Sequence, residues 1–143
     1  MNSFTEPDQA AVDFRIDLLR KGWRDDQGVA ALIGISPRST PERSVSRARD
    51  TGLLLGVWSE PQHRFVYPEF QFDRFGKLRP EVAELLSILP DDGDRSGWRR
   101  AFWLYSPHPL LDDTLPAEVF AKNPAWVLDV AQQEFGGDPL ASW

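Results

Sequence analysis

Arginines and small hydroxyl side chains gather in one short stretch of the chain. Arg38, Ser39, Arg43, Ser46 and Arg47 fall within ten residues. An arginine fork donates two parallel hydrogen bonds, which suits phosphate oxygens and the guanine edge in the major groove. Ser44 and Ser46 are small enough to let a helix approach a groove closely. The chemistry this pattern offers is DNA contact. The same residues also fit an ordinary solvated helix face.

Other reactive types are sparse. With no cysteine there is no thiolate nucleophile, disulfide or cysteine-based zinc site. The two histidines, His63 and His108, stand 45 positions apart. Neither has a metal-ligand spacing, so both read as surface or loop residues. The pairs Asp91-Asp92 and Asp112-Asp113 lack the alternating oxygens and distal glutamate of a calcium loop, and read as solvated turns. No glycine-rich phosphate cradle is present. The chain therefore reads as a non-enzyme without cofactor or metal, acting by binding macromolecules.

The elements that would position the arginines follow from apolar periodicity and punctuation. Residues 8–22 predict a helix with Val12, Ile16, Leu19 and Trp23 on one stripe, widened by Phe14 and Leu18. Asp25 or Asp26 is placed to cap a second helix carrying Val29, Ala30, Leu32 and Ile33, ended by Gly34. After a Ser/Pro-rich turn, Thr40 and Pro41 open a third helix bearing Arg43, Val45, Arg47, Ala48 and Arg49, which stops at Gly52. The runs 53–58 and 65–67, on either side of a polar loop, predict a β-hairpin. Helices are then expected over 80–89, 96–105, 116–122 and 124–135, with Trp98, Phe102, Trp103 and Trp126 as an aromatic core. The fold class is mainly α: an N-terminal helix-turn-helix-like three-helix module, a short β-hairpin and a small C-terminal helical bundle. The division expected is 1–66 and 67–143. In such a layout the second helix of the motif enters the major groove and the hairpin resembles a wing.

Charge divides along the same line. Residues 1–52 hold eight acids and eight bases, whereas residues 53–143 hold fourteen acids and eight bases. A polyanion-binding surface is expected in the first third, because the acidic remainder repels nucleic acid. No apolar run approaches the roughly 20 residues of a membrane span. The polar, acidic start has no signal-peptide pattern. The expected location is the cytoplasm, with no membrane partner.

A succession of motifs carries a resemblance. Thr51-Gly52-Leu53-Leu54 precedes Tyr67-Pro68-Glu69-Phe70-Gln71-Phe72-Asp73. Gly97 to Pro107, with Trp98, Trp103, Leu104 and Tyr105, comes next. Leu110-Leu111, Pro116-Ala117-Glu118 and Val127 to Ala131 complete it. This order resembles the Xre/MbcA/ParS antitoxin family over residues 29–135, most strongly over 67–131. The chain departs from the family pattern at His108, Asp112-Asp113 and Leu115, where asparagine, a Gly-Arg pair and a small polar cap are common.

The resemblance implies an antitoxin of a bacterial toxin–antitoxin pair. It would bind and block a cognate RES-domain toxin that degrades NAD⁺, and as a homodimer repress its own promoter DNA. NAD⁺ belongs to the toxin. Toxin contact is expected at Leu110, Leu111, Phe135, Leu140 and Trp143, where exposed apolar or aromatic residues would serve as anchors. The alternative is a DNA-binding transcriptional regulator with no toxin.

Overall fold

The computed structural model describes residues 5–33, 41–91, 93 and 95–136. It is mainly helical with one two-stranded hairpin, as the sequence predicts. Seven α-helices are described: α1 (Thr5–Leu19), α2 (Asp26–Ile33), α3 (Pro41–Asp50), α4 (Glu81–Ile88), α5 (Trp98–Leu104), α6 (Pro116–Lys122) and α7 (Pro124–Ala131). Strands β1 (Val57–Ser59) and β2 (Arg64–Val66) lie between α3 and α4 and pair antiparallel, Trp58 opposite Phe65.

Three apolar clusters hold these elements. The largest joins Val82, Leu85 and Leu86 of α4, Leu104 of α5, Phe120 of α6 and Val127 and Val130 of α7. Each such side chain taken out of water contributes about 1.5–3 kcal/mol. A second packs Leu18 and Trp23 against Val57 and Val66 of the hairpin and Trp98 and Ala101 of α5. A third gathers Val29 and Ala30 of α2, Val45 of α3, Leu54, Tyr67 and Phe72. All three cross residue 66, so the hairpin region is packed from both halves of the chain.

Two expectations about packing are corrected. Val12 and Ile16 do not face inward; they are 43% and 40% exposed, and α1 buries Leu18 and packs Phe14 instead. The helix stops at Leu19, and the left-handed Gly22 (φ 76°) lets Trp23 turn back into the core. Trp126 is 37% exposed rather than part of an aromatic core, and Trp98 and Trp103 belong to different clusters. The last helix also ends earlier than its apolar pattern suggests. After Ala131 it widens into a π-turn over Gln132–Gly136. Within that turn Glu134 accepts from Trp103 Nε1 at 3.0 Å, and the Phe135 ring lies 5.9 Å from that of Trp103.

The Tyr-Pro-Glu-Phe-Gln-Phe-Asp string acts as a latch. Gln71 is fully buried, yet its amide is satisfied. Its Oε1 accepts from the Leu55 N–H at 2.6 Å, and its Nε2 donates to the carbonyls of Leu55 (2.9 Å) and Pro68 (3.0 Å). The segment between α3 and the hairpin has no helix or sheet partner there, so a side chain supplies the bonds its buried backbone requires. Gly97 makes the second tight joint. It opens α5 at φ 82°, and a Cβ placed on it would lie 2.0 Å from the Gly56 carbonyl oxygen. Only glycine fits this backbone approach.

Candidate nucleic-acid interface

Helices α2 and α3 pack through Val29, Ala30 and Val45. Asp25 caps α2: its Oδ1 accepts from the Gly28 N–H at 2.9 Å, filling one of the orphan donors of the helix start. Its other oxygen takes Arg64 of β2 at 2.6 Å. The Gly28 bond, opposed by burial and reinforced by Arg64, holds this carboxyl below its ordinary value. One aspartate therefore fixes the start of the motif and ties it to the hairpin.

The far end of α3 closes as a Schellman turn. The Leu53 N–H bonds the Ala48 carbonyl at 2.9 Å and the Gly52 N–H bonds that of Arg49 at 3.2 Å, with Gly52 at φ 82°. Between its ends α3 has two distinct faces. Val45 is buried, and Ala48 lies half-buried beside it. Arg43 and Arg47 lie one turn apart on the opposite side, both exposed, with Ser44 exposed and Ser46 half-buried at the flanks. Among the described residues no carboxylate pairs with Arg43 or Arg47. Two of the expected contact residues, Arg38 and Ser39, lie outside the described residues, as does the Thr40 cap.

Arg49 has a different task. It turns inward, places its guanidinium 3.9 Å from the Phe65 ring centroid and donates to the Tyr67 hydroxyl at 2.8 Å. The Tyr67 hydroxyl donates in turn to Asp26 of α2. Burial, with help from the Asp26 acceptor, pushes the Tyr67 phenol above its ordinary value, so it stays a donor. The network Asp26–Tyr67–Arg49 sets α3 against α2 and the hairpin. Its members are 18 to 41 positions apart, so no local spacing signals it.

The hairpin tip does not extend the basic surface. Its exposed residues are Glu60, Pro61, Gln62 and His63, and its nearest cation, Arg64, is committed to Asp25. From α2 to the hairpin, Arg43 and Arg47 are exposed cations without a carboxylate partner among the described residues.

Of the residues expected to meet a toxin, Leu110, Leu111 and Phe135 are among the described residues. Leu110 is 51% exposed on the short 3-10 turn Pro109–Leu111. Its neighbour Leu111 is wholly buried in the main core, so its side chain presents no surface to a partner. Phe135 is half-buried, with the Arg99 guanidinium 5.7 Å from its ring centroid. Leu140 and Trp143 lie outside the described residues.

His108 serves the fold. Its Nδ1 accepts from the Leu110 N–H at 3.1 Å, so the ring proton sits on Nε2, which meets Glu134 at 2.7 Å. Burial raises the Glu134 carboxyl, but bonds from His108 and Trp103 outweigh it and hold the group below its ordinary value. Among the described residues no group of three histidines or carboxylates is arranged to hold a metal. No helix among them is long and apolar enough to cross a membrane.

No family model matches the chain, and neither does any curated protein. Among solved structures, the chain is similar to one described as the NMR structure of Rv2175c. The two share 26% identity over 79% of this chain and 80% of the other, with a TM-score of 0.64.

Proposed function

We propose that this chain is a DNA-binding regulator whose α3 enters the major groove. One observation carries the reading: Arg43 and Arg47 stand together on the outer face of α3, opposite buried Val45 and without carboxylate partners among the described residues. The acidic second half orients the molecule by turning away from the phosphates. Promoter DNA upstream of the chain's own gene is the natural first target, and a homodimer would read two half-sites about one helical turn apart.

The test is fluorescence anisotropy with that duplex over a salt series. Replacing Arg43 and Arg47 by alanine should lower the slope of log K against log salt by about 1.8, if each neutralises one phosphate. Melting should be unchanged, because neither side chain contacts the core. An unaltered slope with unaltered affinity would remove α3 from the interface.

The antitoxin role implied by the sequence resemblance is a second proposal. It is favoured by exposed Leu110, beside an open groove of about 540 Å³ lined in part by Phe102, Trp103, Pro107 and Pro109. Co-expression with a RES-domain protein encoded alongside tests it. Rescue of growth and a stable complex support it, and a harmless neighbour that forms no complex rejects it.

A further inference from the structure

The misfit of α1 with its own apolar pattern opens onto a cavity. Val12, Ile16 and Leu19 of α1 face Trp58 and Pro61 of the hairpin and Trp98 of α5 across a groove of about 470 Å³. That volume falls in the range of small-molecule sites, which are largely apolar with a few placed polar groups. Glu60 and Ser96 also line it. Glu60 turns one carboxylate oxygen, Oε2, to the Trp58 indole N–H at 2.7 Å, so the hairpin wall is negative.

Arg15 supplies the opposite charge. Its guanidinium lies 5.4 Å from the Trp98 ring centroid and 5.7 Å from that of Phe102. Among the described residues its N–H fork, the pattern that meets a carboxylate in two parallel bonds, makes no hydrogen bond. Among the described residues Arg15 has no carboxylate partner. A cation held in place over two rings at an apolar groove, with its fork free, is built to receive a carboxylate attached to an apolar body.

We infer that the groove between α1, the hairpin and the start of α5 binds a small apolar monocarboxylate, its carboxylate on Arg15 and its body between Ile16, Trp58 and Trp98. The ligand bridges α1 to the hairpin that also anchors α2 through Arg64 and Asp25. Any consequence for DNA affinity rests on the DNA-binding reading; the binding itself does not.

The experiment is calorimetric titration of the full chain with 1-naphthylacetate and with its neutral isostere 1-naphthylacetamide. Saturable binding of the acid is expected, with the amide weaker by about tenfold or more, the scale of a charge-assisted hydrogen bond. Arg15→Gln, on an exposed helix position, should bring the two affinities together. Arg43→Ala with Arg47→Ala should leave both unchanged, so the result does not depend on whether DNA binds. Equal affinity for acid and amide, or no saturable binding, overturns the proposal. So does sedimentation showing self-association that Ile16→Lys abolishes, because the groove would then belong to a second copy.

Discussion

Replacing Gln71 by methionine keeps chain length and apolar volume but deletes every hydrogen bond of the latch. The Leu55 N–H loses its 2.6 Å acceptor, and the carbonyls of Leu55 and Pro68 lose donors at 2.9 and 3.0 Å. Gln71 is fully buried and Leu55 is nearly so, so water does not readily take over. A buried polar group left unpaired costs about 1–3 kcal/mol. The N–H carries the full penalty, and the carbonyls, with two lone pairs each, carry less. The expected loss is about 3–5 kcal/mol, set against a typical total of about 5–15 kcal/mol. At about 4 °C per kcal/mol for a chain of this size, melting should fall by at least about 10 °C. Urea denaturation followed by far-ultraviolet circular dichroism measures both midpoint and slope. A loss below about 1 kcal/mol with unchanged slope would refute the argument, because it would mean the backbone of residues 55 and 68 is satisfied without the amide.

Other perturbations probe the remaining joints. Gly97→Ala combines a left-handed backbone with a clash against the Gly56 carbonyl, and should cost about 2–5 kcal/mol, read as a lowered melting temperature. Tyr67→Phe removes the hydroxyl between Asp26 and Arg49 and should cost about 1–3 kcal/mol in urea melts. In the anisotropy assay it should weaken DNA binding without changing the salt slope, since no phosphate contact is lost. Asp25 has a folded-state pKa below its ordinary 3.8, so the stability it contributes is present above that value and is lost as pH falls through the lower folded-state value. Asp25→Asn keeps a capping side chain but should flatten the fall in urea midpoint below pH 3.8; an undiminished acid dependence would assign it to other carboxylates.

Much of the architecture was legible along the chain, because helices and turns are written in local periodicity. Pro41 and Gly52 bound α3, and Pro116 and Pro124 open α6 and α7, as their backbone preferences require. The outward placement of Arg43 and Arg47 also follows from local spacing once Val45 is taken as the buried residue. Periodicity was a poorer guide where two apolar stripes competed. On α1 both Val12–Ile16 and Phe14–Leu18 have helical spacing, and only contact with Trp98, Phe102 and the hairpin selects the second.

What the sequence by itself determined, then, is the set of elements, their order and the face of α3 that carries charge, all consequences of bonds and spacings within a few residues. Tertiary structure alone decided that Arg49 turns inward to Tyr67, that Arg64 serves Asp25 instead of the hairpin tip, that Leu111 is core while Leu110 is surface, and that Gln71 latches Leu55. Most of these are choices of partner between residues far apart in the chain. They are made by tertiary packing, which brings groups far apart in the chain into bonding distance, and no local pattern encodes which neighbour that is.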